Sequence, residues 1–391
     1  MQQRGVNNHV NLVLFLLGTI FTFACFYSSM TVLPLYVNEL GGTEFDTGVQ
    51  ITLYYIASVL LRFYFGPLSD RKGRKLPLMI GAFVFATSSL LFVFCDTILE
   101  VTLARLYQAV GLAAFFSSGG SLIADLAPAK RIGLYVSLFR MSTVTALLTG
   151  PFLAMLVIDI YHYSTWFIIS TILGFLSLLF ISLVKAPPLE NEGEEEFLGK
   201  FVTVLKEKAT HQVLYGISLV SLSYGLLLTF VVLFIVQDGK IANPGLYFTY
   251  FSIVSLAGTF LSGNLSDRIG RPAIVWPAIT LLGIGVGMLY FVPQMPALLW
   301  VSSVLAGIGY SASMASLAAW LVEVVSAEHR GTAVAMQEST IDISIGIASF
   351  IFGWVSGFTG MGGAFALIGG FVFLSALVKM WSFCQAARHK S

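Results

Sequence analysis

The chain has 391 residues, of which 57% are hydrophobic and only 10% charged, with a formal net charge of +1 and a mean hydropathy of +0.86. Soluble domains hold about 45 to 50% apolar and about 25% charged residues, so this composition excludes a water-soluble globular protein and makes lipid the natural solvent. The three cysteines (Cys25, Cys95, Cys384) and five histidines lack the spacing of a metal or redox site, so no metal and no cofactor is expected. The dispersed basic residues form no stripe for nucleic acid.

Twelve apolar stretches follow one another, near residues 11–36, 46–67, 76–95, 98–127, 132–158, 164–184, 211–236, 245–266, 273–293, 297–324, 332–358 and 362–384. Each is long enough, at about 1.5 Å per residue, to cross about 30 Å of hydrocarbon. They are apolar all round and rich in Gly and Ala, as packed membrane helices are, whereas barrel strands would alternate in polarity over about 10 residues. The first exceeds the roughly 7 to 15 residues of a signal-peptide core. The expected fold class is therefore all-α, an integral membrane protein with twelve transmembrane helices.

In chain order, the first span (Asn11 to Tyr36) carries no acid, and Thr22, Tyr27 and Ser28 are its polar or aromatic candidates for lining a cavity. Further candidates are Tyr54, Tyr55, Tyr224, Tyr250 and Gln337. Arg62 lies about two turns before the inner end of the second span. The phrase GPLSDRKGRK, Gly66 to Lys75, then makes the first inner turn. Gly66 is expected to let helices approach closely and Gly73 to permit a tight turn, while Asp70 accepts charge-assisted hydrogen bonds and Lys72, Arg74 and Lys75 anchor the inner face. The fourth span opens with RLYQAVGLAA from Arg105. An arginine within a span costs roughly 2.5 to 3.5 kcal/mol on insertion scales, so Arg105 either faces a wet cavity or partner or snorkels to the outer surface near Glu100. The fifth span holds Arg140 and the Gly150-Pro151 pair, a helix kink in its own right.

Between Lys185 and Gln212 the chain turns polar, with five glutamates between Glu190 and Glu196 and an amphipathic stretch from Phe197 to Lys208 that would lie on the inner leaflet. It divides the chain into residues 1–184, a cytoplasmic linker 185–210, and residues 211–391. Much of the first half then returns. GNLSDRIGR, Gly263 to Arg271, repeats GPLSDRKGRK 197 positions on, and VEVVSAEHRG (Val322 to Gly331) echoes ADLAPAKRIG (Ala124 to Gly133), with Glu323 opposite Asp125. A period this long matches the paired halves of secondary transporters and exceeds any solenoid repeat. In the eleventh span Glu338 and Asp342 share a face at i,i+4. Counting from Gly331 puts Asp342 roughly 16 Å deep, where an ionised carboxylate is costly unless paired.

With the N-terminus inside, seventeen of the 21 basic residues fall on the inner side, Lys240 falls outside, and Arg62, Arg105 and Arg140 lie within spans. The positive-inside rule thus places both termini in the cytoplasm.

GPLSDRKGRK closely resembles the motif of the major facilitator superfamily between the second and third spans, and two copies in register extend the resemblance over essentially the whole chain. The resemblance implies two pseudo-symmetric six-helix bundles. It also implies an inner-side charge network of Asp70, Arg74 and Asp125 that stabilises the outward-open state, repeated by Asp267, Arg271 and Glu323 with Gly263 and Gly270. The alternative is that these charges only set orientation and cap helices. RLYQAVGLAA is similar to a fourth-span motif of the family, with Ala109 replacing a glycine, which implies a role for Arg105 in proton coupling. Gly150 and Pro151 match the core of the antiporter motif, whose final glycine pair is here Ala154 and Met155. The segment Arg330 to Gly346 resembles the eleventh span of bacterial sugar-efflux-like members. Glu338 or Asp342 is then expected to exchange partners with Arg62 or Arg140 between states, or else to form a static pair.

The resulting expectation is a proton-coupled efflux permease of the plasma membrane, moving a small organic solute by alternating access and working as a monomer in the bilayer. Uptake by symport or uniport is the alternative, and a non-transporting sensor the remote one. The chain lacks the phosphate loop GxxxxGK[ST] and the HExxH and GxSxG phrases, so an enzyme is not expected.

Overall fold

A computed structural model of the chain describes residues 2–128, 131–186, 204–238, 243–326 and 329–388. Among the described residues it is helical throughout, without a strand. The long helices are α1 (Gln2–Glu39), α2 (Glu44–Lys72), α3 (Lys75–Phe92), α4 (Ile98–Leu126), α5 (Ile132–Ile160), α6 (Tyr163–Leu183), α7 (Lys208–Asp238), α8 (Leu246–Ile269), α9 (Arg271–Met288), α10 (Leu298–Val324) and α11 (Arg330–Arg388). The glutamate run and most of the amphipathic stretch expected before α7 lie outside the described residues.

All eleven helices are long and apolar enough to cross a membrane. The apolar part of α11 is 52 residues long, about 78 Å at 1.5 Å per residue, which is more than two thicknesses of an approximately 30 Å core. It therefore makes two crossings. The break between them is Gly360, with φ 70° and ψ 164°, a conformation open to glycine because no Cβ meets the carbonyl. The eleventh and twelfth spans expected from hydropathy thus meet at one residue with no loop between them. Along the arm after Gly360, Leu367, Phe371, Leu374, Val378 and Trp381 form an exposed stripe at helical spacing. In this composition that stripe is a face for hydrocarbon.

Contacts divide the chain into two units, Met1–Asp46 with Leu53–Gly193 and Thr47–Thr52 with Glu194–Ser391. In the first, α1 packs on α5 and α6, and α3 on α4 and α6. In the second, α9 packs on α10 and α11, α10 on α8, and α11 on α7. Lipid offers helices no hydrophobic gain on association, so small residues and hydroxyls hold these seams. A Cβ on Gly174 would come within 2.5 Å of Ala86 Cα, and one on Gly369 within 2.4 Å of the Gly287 backbone nitrogen. Buried hydroxyls cross the same seams: Thr22 and Ser177 pair at 2.6 Å, Ser89 and Ser170 at 3.0 Å, and Ser302 donates to Gly285 O at 2.7 Å.

The N-termini of α2 and α4 are closed by capping boxes, Thr43 with Asp46 and Thr97 with Glu100. In the second box the Glu100 carboxylate accepts the backbone N–H groups of both Asp96 and Thr97, at 2.8 and 3.0 Å. Each box satisfies helix donors that have no intrahelical acceptor.

Adjacent glycines on α11 separate packing from propensity. Gly369→Ala is expected to lower the detergent unfolding midpoint, because overpacking against backbone costs about 1 to 3 kcal/mol. Gly370→Ala, whose Cβ would meet nothing within 4 Å, should leave it unchanged or raise it. Equal effects in a thermal-unfolding comparison would contradict the close approach.

Candidate functional site

The repeated phrase builds the same device in each unit. α2 ends at Gly73 (φ 97°, ψ 149°) and α8 at Gly270 (φ 93°, ψ 147°). In this region a side chain is strained, and both phrases place glycine there. The turn carries the following arginine back over the helix end. Arg74 bonds Asp70 one turn earlier, reaches Asp125 near the end of α4 at 3.4 Å, and lies 3.5 Å from Ser69 Oγ. Arg271 bonds Asp267 at 2.5 Å and Ser266 Oγ at 2.6 Å, and donates from Nη2 and Nε to Glu323 Oε1 at 2.7 and 3.0 Å. Each guanidinium also lies by the C-terminal end of a helix, where the helix dipole favours a cation.

The close helix approach expected of Gly66 is not found, and its counterpart Gly263 is alike. A Cβ on either would meet no atom within 4 Å, so neither is required for a close helix approach. The requirement falls instead on Gly73 and Gly270. Serines missed in the sequence complete the device. Ser69 is buried beneath Arg74 and accepts from Ser118 at 2.8 Å, tying α2 to α4. In the second unit Ser266 bonds the arginine more closely, at 2.6 Å. A serine one residue before the motif aspartate, present in both copies, was the available signal.

Arg105 is fully buried in the first unit. Its Nη1 donates to Ser29 Oγ at 2.9 Å and Gln108 Oε1 at 2.5 Å, its Nη2 to Met30 Sδ at 2.8 Å, and its guanidinium carbon lies 4.2 Å from the centre of the Tyr54 ring. The snorkelling alternative is overturned, since the side chain turns into the bundle and Glu100 is occupied in its cap. Gln108 follows Arg105 by three positions in RLYQ, so its role was legible as a same-face neighbour; those of Ser29 and Met30 on α1 were not.

The other expected charges are distributed as follows. Arg62 is half-buried, with its guanidinium 5.5 Å from the Phe116 ring centre, whereas Arg140, within α5 as expected, is exposed. Asp342 is buried at 5% exposure and Glu338, one turn before it on α11, is half-buried. Arg62 and Arg140 belong to the first unit, Glu338 and Asp342 to the second. Gly150 and Pro151 are buried in α5, and a Cβ on Gly150 would lie 3.1 Å from Ala24 O on α1.

Thr22 and Ser28 are spent on packing bonds, to Ser177 and to Cys25 O, and so do not line a cavity. Tyr27 remains half-buried in an aromatic group with Phe23 and Phe26. Tyr224 stacks on Tyr310 at 4.3 Å between ring centres. A cavity of about 310 Å³ in the second unit is lined by Phe234, Tyr290, Gln294 and Thr359 among others, with no charged side chain. Among the described residues no group of three or more His, Cys, Asp or Glu could hold a metal. Burial, helped by Glu100 and Asp96, pushes the Cys95 thiol up to about 11, which leaves it a poor nucleophile at neutral pH.

Comparison with known proteins gives a consistent picture. The sequence model of the Major Facilitator Superfamily matches residues 15–242 and 240–390. An uncharacterized MFS-type transporter of Methanocaldococcus jannaschii is 23% identical over 340 residues, covering 84% of this chain and 87% of that protein. The multidrug resistance protein MdtG of Proteus mirabilis is 27% identical over 293 residues, covering 71% of this chain and 72% of that one. A crystallised point variant of the nucleoside transporter NupG superimposes with a TM-score of 0.81 at 14% identity, over 95% of this chain and all of that one.

The division of labour among the motif glycines is testable by substitution. Gly73→Ala and Gly270→Ala are each expected to cost about 1 to 3 kcal/mol through backbone strain, lowering the unfolding midpoint, while Gly66→Ala and Gly263→Ala leave it in place. The opposite ranking would return the requirement to helix approach.

Proposed function

The chain belongs to the Major Facilitator Superfamily, and on that premise we propose that it is a proton-coupled exporter of a small organic solute, worked by alternating access. As a family member it is a multi-pass membrane transporter and not an enzyme. Export in exchange for protons, residence in the plasma membrane with both termini cytoplasmic, and a monomeric working unit are the further parts of this reading.

The observation that carries it is the twin set of ion pairs, Asp70–Arg74–Asp125 and Asp267–Arg271–Glu323. Their carboxylates are substantially exposed, from 37% at Asp125 to 70% at Asp70. Exposed pairs contribute only about 0.2 to 1 kcal/mol each. A latch of that strength holds one state yet can be released by the binding of a solute or a proton, whereas deeply buried pairs would lock it. In this reading the two triads hold the outward-open state and separate in the inward-open one.

Asp342 is the proposed proton carrier, with Glu338 one turn away as its neighbour on the path. A buried carboxylate in a span is costly when ionised and cheap when protonated. It can therefore take up and release a proton as the cycle turns, with Arg62 and Arg140 the cations of the same reading. The likeness to MdtG, a multidrug resistance protein, favours export over import, and the Gly150-Pro151 kink in α5 belongs to the same reading.

The experiment is solute-driven proton movement in proteoliposomes holding purified protein and an internal pH dye. Outward solute flux with opposite proton movement is expected, and Asp342→Asn should abolish the proton signal. Full proton-coupled flux in Asp342→Asn, or solute and proton moving together, would overturn the assignment.

A further inference from the structure

Arg105 presents the two halves of its guanidinium very differently. The Nη1 end is saturated by two oxygens, Ser29 Oγ and Gln108 Oε1. On the other edge, where Nε–H and one N–H of Nη2 point the same way, Nε has no hydrogen-bond acceptor and Nη2 has only the thioether sulfur of Met30. This is the edge on which a guanidinium takes a carboxylate through two parallel hydrogen bonds. Among the described residues no carboxylate pairs with Arg105, and Glu100 is held in its helix cap.

The surroundings favour the same ligand. The Tyr54 ring, 4.2 Å from the guanidinium carbon, fixes the plane of the fork and so the direction of its edge. Gln108 Nε2 is buried without an acceptor, and so is the hydroxyl of Ser58 without a partner. Ser58 lies one turn after Tyr54 on the same face of α2. The register set by Tyr54 on Arg105 and Ser69 on Ser118 places it level with Gln108. A fully buried cation with an open bidentate edge, flanked by spare neutral polar groups, is incomplete as architecture, because a buried charge is costly until its hydrogen bonds and its charge are both met.

We propose that Arg105 is the recognition point for a carboxylate carried by the transported solute, bound side-on through Nε and Nη2, with Gln108 Nε2 and the Ser58 hydroxyl donating to the remaining lone pairs. Met30 holds the place of the second oxygen. Its sulfur lies 2.8 Å from Nη2, a spacing usual for an oxygen acceptor, and its unbranched side chain can swing aside at little cost. The substrate class is thus organic monocarboxylates. This rests on the transporter reading for the word substrate, but the site itself does not.

The test is equilibrium binding to purified full-length protein in detergent, with benzoate as probe against benzamide, its neutral analogue, and against chloride, an anion that lacks the pair of oxygens matched to the two donors and to Gln108 and Ser58. Benzoate is expected to bind, and benzamide and chloride at equal ionic strength not to. Arg105→Lys keeps the charge but loses the fork, and should weaken benzoate roughly tenfold or more. Met30→Leu conserves volume and removes the competing acceptor, so it should tighten benzoate severalfold; this variant decides the matter if Arg105→Lys does not fold. Equal binding of benzoate and benzamide, equal binding of chloride, or unchanged benzoate affinity in Met30→Leu would each overturn the proposal. Benzoate binding without any flux in proteoliposomes would leave the site standing and remove the transport reading. Coupled flux of uncharged solutes alone would do the reverse.

Discussion

A charge carried into hydrocarbon stays there only where acceptors, an aromatic face or an opposite charge replace the water it has lost. That constraint orders the polar chemistry of this chain. The ion pairs that join helices sit at helix ends, where Asp70, Asp125, Asp267 and Glu323 keep part of their exposure. Arg105, with no such access, is wrapped instead by a serine, a glutamine, a thioether and a tyrosine ring. Glu100, near the start of the same helix, is spent on capping it. Where a charge lies along a span therefore decides what kind of partner it has.

Two strengths of interaction divide the work. Helices within a unit meet backbone to backbone through Gly174, Gly283, Gly307, Gly309 and Gly369, with hydroxyls bonded to carbonyls across the seams. These contacts are numerous, dry and sensitive to a single methyl group. The charge triads are exposed and their pairs individually weak. Within each unit the close backbone contacts are thus the stiff element and the exposed ion pairs the weak one.

The two copies of the motif also show how a repeat diverges. Gly73 and Gly270 adopt nearly the same backbone conformation, because the turn geometry admits few side chains. The residues below them are freer. Ser69 bridges to Ser118 on the neighbouring helix, whereas Ser266 is drawn to Arg271. Arg271 meets its acceptor through two nitrogens, and Arg74 meets Asp125 through one. Glutamate in place of aspartate supplies one more methylene, enough to bring the carboxylate within reach of both donors.

Hydrophobic length and the doubled phrase were sufficient, in sequence alone, for an all-helical membrane protein with paired halves, since crossing about 30 Å of lipid imposes a period that composition must obey. The triads were expected from the resemblance: local spacing accounts for Asp70 with Arg74 and Asp267 with Arg271, one helical turn apart, whereas Asp125 and Glu323 lie 51 and 52 positions beyond their arginines. The sequence was misleading where a contact depends on a neighbour far along the chain. Gly66 reads as a packing glycine, yet a Cβ there would meet nothing within 4 Å, and Thr22 and Ser28 read as cavity residues and bond within the bundle. That Arg105 turns inward, and that one of its edges is saturated while the other meets only sulfur, was decided by α1 and α2 packing against α4. Side-chain direction and hydrogen-bond satisfaction are set by what occupies the adjoining space, and no local sequence pattern encodes that.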